Sequence, residues 1–383
     1  MGFTIFDPVM HATLDQSFGR LVPLAEMGLQ DVELLRLILR GGSVVDWRRL
    51  NFGSRAEVDR YLRLALFDPE DPEDLERLRE ILAQAVAYLR SSFRYRVAEP
   101  VAQPREIHDL FLMASGRFEP GRFRRIACVV LKVMHCILHV EARELLFQAK
   151  IAEADFQALI DERVQSFAQR VRSAGFPIVE FVGNLKTRDS LITKLLSKRE
   201  TLAAQIYDKV RYRIVMRSLG DVLPMVHSLA TELFPFNFVV PGQTQNLLVS
   251  FRRAVEGTPQ LRKLIPKLEL DLDLERREAR ERSQAGEGNA FSADAYRVLN
   301  FVADIPVRLD AWLEPDARGR WPSGRIAFGL VEFQLVDEET ARENEQGASS
   351  HERYKARQKA KVLRRLSRGL VVPKAPAGPK APR

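Results

Sequence analysis

Ile326-Ala327-Phe328-Gly329-Leu330-Val331-Glu332-Phe333-Gln334-Leu335-Val336 is the stretch that decides the fold of this 383-residue sequence. Aromatic and β-branched residues dominate it, as in a strand buried within a sheet. Its alternation sends Val331, Phe333 and Leu335 to one face and Glu332 with Gln334 to the other. A carboxylate near the middle of a sheet strand is expensive unless it faces a cleft, a cation or a partner. Glu332 therefore reads as a site residue before it reads as a plain exposed glutamate.

Working outward, residues 176–182 form a short strand-like run closed by Gly183, and a helix is expected over 188–200. Strands follow at 212–216, 247–251 and 298–309, with a helix at 221–233. Upstream the pattern is helical. Leucines recur near helical spacing over 24–39, and Leu75, Leu78, Ile81, Leu82, Ala85 and Leu89 share one face of a helix over 74–89. Asp71-Pro72 sets its start. Another helix spans 122–150, with Ile126, Val129, Val130, Val133, Ile137 and Val140 on its inner face, and a further one spans 154–172. No fixed repeat period appears, which argues against a solenoid. The expected fold is α+β: a helical N-terminal domain over 1–170, then an α/β domain over 171–360 with a mixed sheet and a charged insertion at 256–294. Residues 361–383, basic and rich in Pro, Ala and Lys, read as a disordered tail.

The net charge of +8 belongs to that end of the chain. Residues 353–383 hold 11 Lys/Arg and no Asp/Glu, leaving 48 basic against 51 acidic residues elsewhere. Such a tail is a candidate for RNA contact, and equally a solvated terminus. No window approaches about 18 uninterrupted apolar residues, so a membrane span is not expected. The first residues lack a basic stretch and an apolar core of the kind a signal peptide needs. Cys128 and Cys136 lie on one apolar helix pattern and read as core residues in a reducing compartment, which makes the chain cytoplasmic. His135 and His139 stand four apart with no third metal ligand evident. Neither a P-loop nor a Gly-x-Gly-x-x-Gly run is present.

Three further blocks carry chemistry. Lys186, Ser190, Lys194 and Lys198 step by four along one helix face, beginning at a helix start whose free N–H groups favour phosphate. A solvated lysine face fits the same spacing. Asp208 stands at the entry of a strand on which Arg211 and Arg213 share a face. A carboxylate beside two guanidiniums suits Mg²⁺ with nucleotide phosphates, and a surface salt-bridge cluster fits it as well. The last block is Gly347-Ala348-Ser349-Ser350-His351-Glu352-Arg353-Tyr354-Lys355.

In order along the chain, these blocks resemble the RelA/SpoT-type alarmone synthetases, which carry Lys-x3-Ser-x3-Lys, Asp-x4-Arg-Ile, Glu-x-Gln and Gly-x-Ala-Ala-His-x-x-Tyr-Lys. The matching residues are Lys186/Ser190/Lys194, Asp208 to Arg213-Ile214, Glu332-Phe333-Gln334 and the segment ending at Lys355. The resemblance implies a nucleotidyltransferase-like domain that moves pyrophosphate from ATP to the 3′-hydroxyl of GDP or GTP, giving (p)ppGpp. Asp208 and Glu332 would hold Mg²⁺, with Glu332 as the base at the attacking hydroxyl. Lys186, Ser190, Lys194, Arg211, Arg213, Gln334 and His351 would bind nucleotide. Three departures are visible, one being the spacing from Asp208 to Glu332, which the charged insertion lengthens. Asn184 stands where the family has Arg, and the Gly-Tyr-x-Ser-x-His block, whose Tyr stacks the acceptor guanine, is expected at 241–247, which has neither Tyr nor His. A divergent acceptor, or a non-catalytic nucleotide- or RNA-binding protein, is the alternative reading.

Overall fold

The computed structural model describes residues 20–42, 50–118, 121–185, 188–197, 210–266, 296–314 and 324–346, with 359–360, 362–364 and 366–367. The helical part comprises α1 (Leu29–Arg40), α2 (Arg55–Leu64), α3 (Pro72–Phe93), α4 (Glu99–Ala102), α5 (Ile107–Ala114), α6 (Arg122–Gln148) and α7 (Glu153–Ser173). Then come β1 (Ile178–Leu185), α8 (Arg188–Ser197), β2 (Val210–Met216), α9 (Val222–Glu232) and β3 (Gln245–Asn246). The chain continues through α10 (Phe251–Gly257), α11 (Pro259–Arg262), β4 (Leu299–Arg308), β5 (Ile326–Asp337) and α12 (Glu338–Gln346). The strands form one mixed sheet in the order β1-β2-β5-β4-β3, with β2 and β5 parallel and the other neighbours antiparallel. The α+β expectation holds. Among the described residues no helix is long and apolar enough to cross a membrane.

β5 sits at the centre because it can be buried on both sides. On one face Phe333 is fully buried, with ring centroids of Tyr212, Phe234 and Phe301 at 6.1, 5.7 and 5.6 Å. Each such ring is worth about 1.5–3 kcal/mol of burial. α7 closes this face: Phe167 lies 6.3 Å from Phe181, the Tyr212 hydroxyl bonds Asp161, and Ile160 fills the space above Gly329, where a Cβ would collide with it. The core is continuous from Met27 on the helical side to Leu335 in the sheet. Among the described residues the opposite face is covered at its ends. At one, His139 of α6 stacks on Phe328 at 4.5 Å and meets Asp304 at 3.2 Å. At the other, Ala341 of α12 packs on Val215, Val298 and Val336.

Several local expectations change. β1 does not stop at Gly183 but runs on to Leu185. Gly183 is needed because a Cβ there would sit 2.7 Å from Tyr212 Cε1 on β2. Residues 247–251 are not a strand. The Asn246 side chain accepts from Leu248 N and Val249 N at 3.3 and 3.0 Å, bending the chain, and Ser250 then caps α10. The regular helix near 24–39 begins only at Leu29, after a 3₁₀ turn over Leu24–Glu26. The stripe of α6 is rotated: Ala127, Val130, Met134, Ala142 and Leu145 are buried while Val140 is exposed. Cys136 is exposed and is no core residue. Most of the charged insertion lies outside the described residues, as does the tail beyond 367.

α3 follows its sequence closely, with Asp71 capping Glu73 N and Pro72 in the first turn. It is also clamped to the sheet by charge. Asp74, only 3% exposed, accepts from Arg308 Nη1 at 2.8 Å and Arg325 Nη2 at 2.6 Å, and Asp71 accepts from Arg325 at 2.5 Å. Asp74→Ala removes the carboxylate the two guanidiniums share in a half-dry seam, leaving Arg308 with Asp310 and Arg325 with Asp71. It should lower unfolding stability by roughly 3 kcal/mol, read as a fall in the urea midpoint; an unchanged midpoint would contradict the clamp. His135 supplies a second test. Burial, then the neighbouring His139, holds its imidazole well below the usual range. The folded state thus resists a proton that the unfolded chain accepts near pH 6.5. Its contribution is complete above that pH and is lost as pH falls below it. Melting temperatures should drop between about pH 7 and 5, and His135→Gln should flatten that slope by on the order of 1 kcal/mol.

Candidate functional site

The sheet face opposite the aromatic core carries a polar cluster that strand register assembles. Parallel pairing sets Arg211 opposite Glu332 and Arg213 opposite Gln334. On the other side of β5, antiparallel pairing sets Asn300 opposite Gln334. Period-two alternation then sends all five side chains to one side. Glu332 is 4% exposed and has a partner at each oxygen. Its Oε2 accepts from Arg211 Nε at 2.7 Å. Its Oε1 accepts from Asn300 Nδ2 at 2.6 Å and from Gln334 Nε2 at 3.3 Å. Arg213 instead reaches Glu345 of α12 at 2.9 Å.

The sequence reading missed Tyr296 and Asn300. Tyr296 packs beside Val215, Val298, Val336 and Ala341. Burial raises the pKa of its phenol, while the Arg211 and Arg213 guanidiniums pull it down and Glu332 pushes it up. Val215 and Val336 continue β2 and β5 on the face that carries Arg211 and Glu332, so the ring lies toward one end of that face. The next residue is held by α12: Asn344 accepts from Arg297 N at 3.1 Å and donates to Arg297 O at 2.7 Å, and Glu343 pairs with the Arg297 guanidinium. The signal was in the sequence. Tyr296-Arg297-Val298-Leu299-Asn300 has a Tyr four residues before a polar side chain, the Tyr-to-His spacing of the block sought at 241–247. The stretch actually at 241–247 supplies β3, whose Gln245 pairs with Asn300 at the rim of the same face.

Of the residues singled out from sequence, Arg211, Glu332 and Gln334 are brought together, with Arg213 alongside. Ser190 and Lys194 fall on α8, directly after β1, with side chains outside the described residues. Lys186, Asp208 and His351 lie outside the described residues altogether. His135 and His139, four apart on α6, have rings 4.1 Å apart that pack on Phe238 at 5.7 and 5.1 Å. Among the described residues no group of three or more His, Cys, Asp and Glu is arranged to hold a metal. The donors present at the polar face are hard oxygens all the same: the Glu332 carboxylate and the buried Asn300 Oδ1, which has no hydrogen-bond partner among the described residues. Such a set suits Mg²⁺, which takes one or two carboxylates and completes its shell with phosphate oxygens and water. A cavity of about 210 Å³ lies elsewhere, at the seam of α3, α6 and the start of β5, lined by Asp74, Arg77, Glu141 and Arg325. Those charges are spent on one another, with Arg77 bonded to Glu141 at 2.5 Å, so the polar face is the better candidate for chemistry.

No protein-family model matches the chain, and no curated protein matches it in sequence. Among solved structures it is similar to the small alarmone synthetase 1 of Bacillus subtilis at 14% identity and a TM-score of 0.28, covering 55% of this chain and 85% of that one. The same enzyme bound to its product pppGpp gives 14% and 0.29, with 56% and 88% covered. A GTP pyrophosphokinase family protein of Streptococcus pneumoniae gives 14% and 0.28, with 55% and 84% covered.

Proposed function

We propose that the polar face around Glu332 is the site of a Mg²⁺-dependent pyrophosphate transfer from ATP to the 3′-hydroxyl of a guanosine nucleotide. The observation that carries this reading is the convergence of Arg211, Glu332, Gln334 and Asn300 on one sheet face, with Tyr296 packed at its end against Val215, Val298, Val336 and Ala341. Chemistry of this type is mostly positioning and charge neutralisation. A buried carboxylate met by one guanidinium and two amide donors, with a second guanidinium alongside, suits it.

In this reading Glu332, with Asp208, holds Mg²⁺, which would supply charge neutralisation on the phosphates. Arg211 and Arg213 bind phosphate oxygens, joined by Lys186, by Ser190 and Lys194 of α8, and by His351. The ring of Tyr296 stacks on the guanine. Asn300 and Gln334 hold the Glu332 carboxylate in place. Glu332 accepts the proton of the 3′-hydroxyl as its oxygen bonds to the β-phosphorus. The bond from that phosphorus to the α–β bridging oxygen breaks, and AMP leaves with the bridging oxygen.

A second reading rests on a separate observation: both Glu332 oxygens already accept hydrogen bonds, and Asn300 stands where a histidine is expected. A carboxylate already held at both oxygens by protein donors is less open to a substrate hydroxyl, which favours nucleotide binding without turnover. Labelled ATP, Mg²⁺ and GDP or GTP separate the two. On the first reading the label moves to the guanosine nucleotide, and Glu332→Gln lowers the rate by about 10²-fold or more. Binding seen by calorimetry without transfer selects the second reading, and no binding of either nucleotide discards both. Tyr296→Ala gives an independent check. Losing one stacked base contact should raise the KM for the guanosine nucleotide about tenfold while leaving that for ATP unchanged. Equal effects on both would sink the assignment of Tyr296 to the acceptor.

A further inference from the structure

We infer that the turn closing α3, residues 88–96, is a docking surface for single-stranded nucleic acid, separate from the Glu332 face. Tyr88-Leu89-Arg90-Ser91-Ser92-Phe93-Arg94-Tyr95-Arg96 interleaves three aromatic rings with three arginines, and no Asp or Glu occurs between Glu80 and Glu99. Only Leu89 of the nine is buried. Tyr88, Phe93 and Tyr95 are 49%, 59% and 45% exposed, an unusual cost for three neighbouring rings with no structural use for their outer faces.

The turn is nonetheless well built. Arg94 adopts the left-handed conformation at φ 56°, where Gly or Asn is the usual occupant. Tyr95 N donates to Leu89 O at 3.1 Å, closing the helix end. Arg90 Nη2 donates to Val97 O at 3.1 Å, tying the strap that follows to the helix. The Tyr88 and Phe93 rings meet edge to face at 5.6 Å. Among the described residues neither Arg94 nor Arg96 pairs with a carboxylate, so both guanidiniums stand beside the rings without a built-in counter-charge.

The chemistry that matches this surface is a flexible chain of phosphates carrying flat, unpaired bases. Bases stack on exposed rings whatever their identity, and arginines meet the backbone charge. A duplex hides its base faces and could use only the arginines. A protein partner is disfavoured because Ser91, Ser92 and the arginines surround the rings, leaving no continuous apolar patch to bury.

Fluorescence anisotropy of the full chain with a labelled single-stranded RNA of about 16 nucleotides tests this. Phe93→Ala with Tyr95→Ala should weaken binding about fivefold or more per ring, and Phe93→Tyr with Tyr95→Phe, which keeps both rings, should bind as the unmodified protein does. Arg94→Gln with Arg96→Gln should reduce the slope of log affinity against log salt by about 1.4. All four positions are exposed, so melting temperatures are expected to stay constant; the arginine and ring-retaining pairs keep the test decisive if the alanine pair misfolds. The proposal is overturned if no RNA binds at low salt. It also fails if the alanine and glutamine pairs bind like the unmodified protein, which would place the contact in the basic tail, or if a duplex of equal length competes as well as the single strand.

Discussion

The parallel register between β2 and β5 is the constraint on which the rest of this molecule depends. Pairing Arg211 with Glu332 also pairs Tyr212 with Phe333. One register thus satisfies both faces of the sheet at once, aromatic against α7 and ionic on the opposite side. A slip of one residue would drive Glu332 into the Phe234–Phe301 layer and expose Phe333. Such a slip loses the burial of several rings and strands a charge in a dry core, so the hydrophobic face enforces the geometry of the polar one.

The polar face is arranged for use more than for stability. A carboxylate 4% exposed, answered by one guanidinium and two amides, recovers little net free energy after desolvation, and an apolar residue of similar volume would fill the same space. The orphaned Asn300 Oδ1 adds to that cost. By contrast, the Asp74–Arg308–Arg325 clamp joins α3 to the ends of β4 and β5 with three carboxylate–guanidinium contacts, and its lone pairs are further used by Asp68 N. There the ions fix how the helical layer meets the sheet.

Much of this was legible in the residues themselves. Alternation placed Glu332 and Gln334 opposite Phe333, and Asp71-Pro72 marked the start of α3, because both signals are local and have a period. What escaped had no period. The bend after Asn246 depends on one side chain bonding its own backbone, which overrode the strand propensity of Leu247, Leu248 and Val249. Val140 and Cys136 fell on the wrong side of α6 because a long helix with apolar residues all around does not declare which stripe its neighbours will cover. The clamp spans more than two hundred residues of chain, and no spacing rule reaches so far. Tyr296 and Asn300 carry neither the glycine nor the histidine of the block, and they lie at β4, one strand inward from the β3 that residues 241–247 supply.

The two segments differ in how firmly they are held. β3 is only two residues long and pairs only with β4, so it cannot position Tyr296. α12 does so. Asn344 grips the backbone of Arg297, Glu343 its guanidinium, and Glu345, one position further on, takes Arg213 on β2. The helix itself follows β5 without a linker, capped where Asp337 accepts from Thr340 N. One strand–helix unit therefore carries Glu332 and sets both Tyr296 and Arg213 around it. Any rotation of α12 would move the ring and the guanidinium together relative to the carboxylate. The three groups keep their mutual geometry only while Ala341 stays seated on Val215, Val298 and Val336, so the small apolar contact behind the site governs the polar one in front of it.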